Sequence, residues 1–546
     1  MKKYKFIRNM VPAAMAALLT IAPSSCSDEL NLSIQDPQTD TQFDANGMLA
    51  KIYSSLSITG QVGSDGNPDM SQFDEGNSAF YRRIFEASEL CSDECIWTWQ
   101  GDTGMPELTN ISWNSSHGYN ELTYYRIMYN ITLCNSYLDQ TDGMERNAQL
   151  NQNRAEVRFM RALFFSYFVD LYGKAPFKEH VNTDLPVEYS RKQAFDYIVS
   201  ELKSINGEDA AATEQLLDFT GDDANYGRAD KVAANMLLAR MYLNAEVYIG
   251  EKKYQEAADY ATKVINSNYK LYDDAVSNPY PAYTRYAQLF MGDNGENAAA
   301  RKEIILPIRC DGATSRSYGG SIYVIASTTG DGTPDQGLPS SMWTCNRARQ
   351  AGVNLFFEAG TAPLETDVKG MVAAARDDRA MFYSVGRTYE TEEKTTFKAG
   401  FAILKWTNVH ADGVKPSDET FPDTDIPFMR VAEAYLTRAE ANFRLHGVNA
   451  DVMADINKLR SRAHAQTKNT IADEREILDE WGREFYFEGR RRTDLIRFGV
   501  FTSEKYVWDH KGGVYAGAGV QSKFNIYPIP YTETSTNHNM QQNSGY

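Results

Sequence analysis

Histidine and cysteine are scarce in this 546-residue chain, which holds seven of the first and six of the second. The histidines are scattered, and no HExxH, GxSxG, GxxxxGK or GxGxxG stretch occurs. Hydrolytic zinc, serine-elbow and nucleotide chemistries therefore lack the residue patterns they need. Positive charge is short as well: 55 Lys and Arg face 73 Asp and Glu, a net charge of −18. Without a basic surplus to meet a phosphate backbone, nucleic acid is excluded as an expected partner. Long apolar runs are missing after the N-terminus, so no later segment is expected to span a bilayer. Cys91-x3-Cys95 has no companion His or Cys cluster, which argues against zinc. The five cysteines after Cys26 are odd in number and cannot all pair within the chain. They read as buried thiols.

Aromatic residues are plentiful instead, with 33 Tyr, 26 Phe and 7 Trp. The N-terminus carries Lys2, Lys3, Lys5 and Arg8 ahead of an apolar run from Val11 to Ala22. That run is too short to cross a membrane but suits a secretory signal over residues 1–25. It ends in "APSSCSDEL", where Cys26 is placed to be diacylated and become the mature N-terminus. Ser27-Asp28-Glu29 resembles the acidic tag of surface-exported lipoproteins. Residues 26–44 are then a lipidated linker.

Helical spacing dominates the chain after residue 44. Val157, Met160, Leu163, Phe164, Tyr167, Phe168 and Leu171 recur at three and four over 154–172, and Gly173 ends the run. Residues 229–266 and 426–465 each read as a helix pair. Tyr254, Ala257, Ala258 and Ala261 show the aromatic-then-small spacing of closely packed tetratricopeptide helices. A further helix is expected over 473–490. Residues 43–120 and 275–425 are richer in Gly, Asp, Thr and Pro and read as irregular. Short strands are expected at Glu303–Ile308 and Ser321–Ala326. The expected fold is mainly α, a tetratricopeptide-like scaffold with loop-rich insertions carrying ligand groups, in parts 45–270 and 271–546.

Two kinds of residue could carry chemistry. Trp97 and Trp99 in "DECIWTWQGD" are two apart, which in an extended segment puts both indoles on one face, either core or a ligand platform. Glu484 and Glu488 in "GREFYFEGRRR" are four apart on the expected helix. A glycosidase needs two carboxyls across a cleft, roughly 5–10 Å apart, one of them kept protonated. Arg483, Arg490, Arg491 and Arg492 would instead keep both ionised, so structural ion pairs are the favoured reading. The loops "SDGNPDM", "GDNGEN" and "FPDTDIP" could bind Ca2+ through oxygen, but none has EF-hand spacing and turns account for them.

The lipoprotein cysteine, "AEVRFMRALFFSYFVDLYGKAPF", "DIPFMRVAEAYLTRAEA", "EFYFEGRRRTDLIRFG" and "YPIPYTETSTNHNMQQNSGY" together resemble the SusD-like (RagB/SusD) family over residues 26–546. The resemblance implies a helical surface lipoprotein of the outer membrane, without enzymatic activity, that docks on a SusC-like TonB-dependent transporter. Within the family it is similar to the founding, starch-binding member, which implies starch or malto-oligosaccharides as ligand. By the same resemblance, Trp99, Tyr318 and Trp343 match an arc of three aromatics that follows a curved α-glucan, and Arg82 matches a polar ligand contact. Asp102 stands where that member has asparagine, and the segment after Trp343 is shorter here. Trp97 is then a packing residue. The alternatives are another α-glucan such as dextran, a glycoside hydrolase using Glu484 or Glu488, and a structural transporter subunit that binds no glycan.

Overall fold

Side chains cap the first turn of several of the long helices, among them Gly118–Asp142, Ala148–Tyr167, Arg191–Ile205 and Lys231–Leu243. The computed structural model describes residues 43–61, 63–70 and 75–546. The expected signal segment, the Cys26 anchor and the linker up to residue 42 lie outside the described residues. Residues 45–546 form one unit. Its first half contains α1 (Ala45–Ser54), α2 (Phe80–Glu89), β1 (Cys95–Trp97), α3 (Met105–Asn110), α4 (Gly118–Asp142) and α5 (Ala148–Tyr167). A hairpin of β2 (Lys174–Phe177) and β3 (Val187–Ser190) leads to α6 (Arg191–Ile205), α7 (Lys231–Leu243), α8 (Ala245–Ile249) and α9 (Tyr254–Ile265). Asn147 caps α5 by accepting from Leu150 N, and Ser190 and Gln193 form a reciprocal capping box on α6. The α5 stripe continues through a π-helical turn, Phe168–Tyr172, and stops at Gly173 with φ +66°.

A loop-rich stretch comes next, holding α10 (Arg285–Gln288), β4 (Ile304–Ile308), α11 (Ser321–Ala326), β5 (Asn346–Ala348), α12 (Gln350–Val353), α13 (Val368–Ala375), β6 (Phe382–Tyr383), β7 (Ala402–Ile403) and β8 (Ile426–Arg430). Helices then resume with α14 (Val431–His446), α15 (Ala450–Arg462), α16 (Arg475–Glu484), α17 (Arg491–Arg497) and α18 (Tyr531–Thr536). β4 and β8 pair antiparallel and tie the stretch together near its two ends. Helix α9 packs on both α7 and α14, so helices from before and after residue 270 join one succession, α4 to α7, then α9, α14 and α15. Tyr254, Ala257, Ala258 and Ala261 are buried in α9, the small residues letting its neighbours approach. Cys91, Cys95, Cys134, Cys310 and Cys345 are buried free thiols.

Several local expectations need correcting. Residues 43–120 are not irregular throughout, for they contain α1 to α3 and the start of α4. In α2 every residue except Arg82 is buried, Arg83, Glu86 and Glu89 included, so its polar residues do not mark a solvent face. Ser321–Ala326 is a helix and not a strand; all six residues are buried, and a short uniformly apolar run cannot distinguish the two. Ile426–Arg430 is a strand and not helix, with Pro427 tolerated because its sheet has only two strands. The helix expected to reach residue 490 stops at Glu484, and positive φ at Phe487 (+58°) and Gly489 (+81°) turns the chain before α17.

Candidate functional site

Strand β1 pairs antiparallel with β5, Cys95 opposite Ala348 and Trp97 opposite Asn346. One more bond, from Thr98 N to the Cys345 carbonyl at 2.7 Å, extends the pairing. The chain then turns, Gln100 N donating to Thr98 O and Asp102 N to Trp99 O. The two indoles therefore do not share an extended face. Trp97 turns inward and is 1% exposed, while Trp99 stands out at 39%. Their rings meet edge to face with centroids 5.6 Å apart. Trp97 also stacks against Tyr323 of α11 at 6.1 Å, and the Arg82 guanidinium lies 4.7 Å from the Tyr323 ring. This column holds Trp99 from behind.

Trp343 and Tyr318 flank α11 in sequence. Trp343 N donates to Ala326 O at the end of that helix, and Thr344 N to Thr329 O. Before the helix, Tyr318 N donates to Glu75 at 3.0 Å, and the same carboxylate accepts from Ser317 Oγ at 2.7 Å and Thr59 Oγ1 at 3.0 Å. Gly76, with φ +80°, lets the chain pass against Tyr318; a Cβ there would sit 2.5 Å from Tyr318 atoms. The Tyr318 and Trp343 rings lie 6.3 Å apart at 40°, and Phe421 supports Tyr318 at 5.1 Å.

Arg82, Trp99, Asp102, Tyr318 and Trp343, drawn from distant parts of the chain, line one open concavity of about 570 Å³. Glu75, Asn77 and Tyr119 line it too. Sequence reasoning missed these three; they sit in a polar turn and in the first turn of a helix, where no spacing marks them. Arg82 uses Nε on Glu86 at 2.9 Å, so the outer end of its guanidinium is turned to other partners. Asp102 Oδ2 accepts from Trp97 Nε1 at 3.2 Å. The arrangement offers exposed ring faces with polar groups at their margins. Such a surface suits a sugar ring, which has an apolar C–H face and hydroxyls at its rim.

The carboxylates that could have suggested hydrolysis are placed elsewhere. Glu484 is fully buried and meets Arg379, Arg430 and Arg462, while Glu488 meets Arg430 and Lys405. These are not the arginines the local sequence suggests: Arg483 pairs with Glu480, Arg490 with Asp494 and Arg491 with Asp93, and Arg492 donates to the Asn525 carbonyl. Burial alone would raise the Glu484 carboxyl, but Arg462, Arg430 and Arg379 hold it down at about 2. A carboxylate held ionised in this way cannot serve as a general acid at neutral pH. In the Asp-rich loops, Asp69 meets Lys51 and Arg126, and Asp293 accepts from Ala411 N and Asp412 N. Asp423 holds His410 and Gly312 N, and Asp425 accepts from Cys310 N. Among the described residues no group of three or more His, Cys, Asp or Glu is placed to hold a metal ion.

A family model described as the SusD family matches residues 100–546. The chain belongs to the SusD family. It is 46% identical to the starch-binding protein SusD of Bacteroides thetaiotaomicron over 574 aligned positions, covering 100% of both chains. It is 25% identical to a SusD-like protein, P25, of Formosa agariphila over 69% of each. Solved SusD-like structures share the fold. One from Bacteroides fragilis matches with a TM-score of 0.67 at 18% identity, covering 92% of this chain and 96% of that chain. The surface glycan-binding protein A of Bacteroides thetaiotaomicron, solved in complex with laminarihexaose, matches with a TM-score of 0.64 at 18% identity, covering 91% and 98%. The mainly helical SusD fold is thus shared where little sequence is.

Proposed function

We propose that this chain is a surface lipoprotein, anchored through Cys26, that captures starch and malto-oligosaccharides and delivers them to a SusC-like TonB-dependent outer-membrane transporter. It binds and does not hydrolyse. The observation that carries this reading is the convergence of Trp99, Tyr318 and Trp343 on one concavity, in a chain 46% identical over its full length to a starch-binding protein. An α-1,4-linked glucan coils, so rings set along a curved surface can meet successive glucose units. Arg82 would donate to sugar hydroxyls and Asp102 accept from them. The reading calls on no metal ion or other cofactor, so EDTA is expected to leave affinity unchanged. Among the described residues no helix is long and apolar enough to cross a membrane, in keeping with attachment by lipid.

The test is affinity electrophoresis of the purified protein in amylopectin, pullulan, dextran and an unrelated β-glucan. Retardation by amylopectin and pullulan, with no reducing sugar released, is expected. Retardation by dextran alone would reassign the ligand to an α-1,6 glucan. No retardation by any of them would leave a structural role in the transporter complex.

A further inference from the structure

Tyr119 has no part in the proposed glucan contacts, yet it lines the same concavity as Trp99, Asp102 and Tyr318. It lies in the first turn of α4, whose start is fixed by the His117 side chain accepting from Asn120 N. Its ring is held by what surrounds it. The Arg83 guanidinium lies 4.6 Å from the ring centroid. Gly104, two residues beyond Asp102, runs so close that a Cβ there would be 2.7 Å from Tyr119 Cδ2. The ring is therefore clamped beside the Asp102 turn and is not laid open as a stacking platform. What it can offer the concavity is its hydroxyl. Among the described residues that hydroxyl takes part in no hydrogen bond, although Tyr119 is partly buried. Burial, with Glu86 and Asp102 adding to it against Arg83 and Arg82, pushes its ionisation upward, so it stays a protonated donor at neutral pH.

Asp102 poses a problem that such a donor solves. A carboxylate only accepts, and Oδ2 already takes the Trp97 indole N–H. A sugar hydroxyl both donates and accepts, so one that donates to Asp102 still needs a donor close by. Resting on the proposed glucan function, we propose that Tyr119 is a further ligand-contacting residue, its phenol hydroxyl donating to a glucan hydroxyl next to Asp102. The chemical class it selects is a polyol hydroxyl that donates to the carboxylate and accepts from the phenol.

Calorimetric titration with maltoheptaose tests this on the unaltered protein, Tyr119→Phe, Asp102→Asn and the double variant. Tyr119→Phe keeps the ring and its packing, so its melting temperature is expected to match. Its affinity should fall about fivefold, the usual scale for one neutral hydrogen bond. Asp102→Asn brings its own donor, so adding Tyr119→Phe to it should cost less than that. Undiminished affinity of Tyr119→Phe, or a loss of the same size in both backgrounds, overturns the inference while leaving the glucan function in place. No binding by the unaltered protein would overturn both.

Discussion

Two tryptophans separated by one threonine end up in opposite environments, and the cause is where a strand stops. Trp97 is the last residue of β1 and is covered; Trp99 comes after the turn begins and is held out. The residue pattern raises the question of platform or core but cannot answer it, because the answer depends on pairing with residues 345–348 far along the chain. Resemblance to the family supplies the choice of Trp99, which is the exposed member of the pair. Asp102 is a second case in which a single residue matters. Asp102→Asn would keep an oxygen for Trp97 Nε1 and gain an amide donor facing the concavity. We expect its maltoheptaose affinity to equal or exceed that of the unaltered protein by up to about tenfold, the effect of one added polar contact. A marked loss in calorimetric titration would mean that the negative charge itself is used.

At the scale of elements, the helices that carry a stripe are readable and the short buried ones are not. Helices α9 and α15 show periodic apolar residues because each has one wet face, while α7 is almost wholly buried and is legible only by its length. Helix α11 is six residues long and wholly buried, too short and too uniform to show a period. Packing between distant helices is also out of reach of local pattern. Glu433 of α14 bonds the Arg240 guanidinium of α7 through two contacts, at 2.9 and 2.8 Å, and also meets Arg490. Burial opposes its ionisation, but Arg240 and Arg490 hold its carboxyl at about 2, below the ordinary glutamate value of about 4.3. The depressed folded value means that these pairs stabilise fully above about pH 4.5 and are lost as pH falls towards 2. Glu433→Gln should therefore be less stable at pH 7, by on the order of 2–3 kcal/mol. The gap in melting temperature should narrow as pH drops from about 4.5 to 3. A gap that does not change with pH would contradict the role given to this ion pair.

The whole molecule is a helical scaffold on which separate segments bring three rings together. Residues 80–119 supply Arg82, Trp99, Asp102 and Tyr119, and the loop-rich stretch supplies Tyr318 and Trp343. Neither region alone makes the concavity, which is why composition and spacing point to loops and aromatics but not to a site. Attachment belongs to this scale as well. Cys26→Ala is expected to release the protein from membranes into the soluble fraction, as read by fractionation and protease shaving of intact cells; a variant still bound and surface-accessible would refute the anchor.

The central claim is that the exposed rings bind glucan and do not hold the fold together. Trp99 is 39% exposed, and its loss removes an edge-to-face contact while leaving Trp97 on Tyr323. A stacked ring contributes on the order of 1 kcal/mol beyond area burial, and each 1.4 kcal/mol is a factor of about ten in affinity. The most direct test is titration calorimetry of maltoheptaose against the unaltered protein and Trp99→Ala, with thermal melts of both. The account predicts saturable binding that Trp99→Ala weakens about tenfold or more, at nearly the same melting temperature. Equal affinity in the two proteins, or a Trp99→Ala that no longer folds, would contradict it.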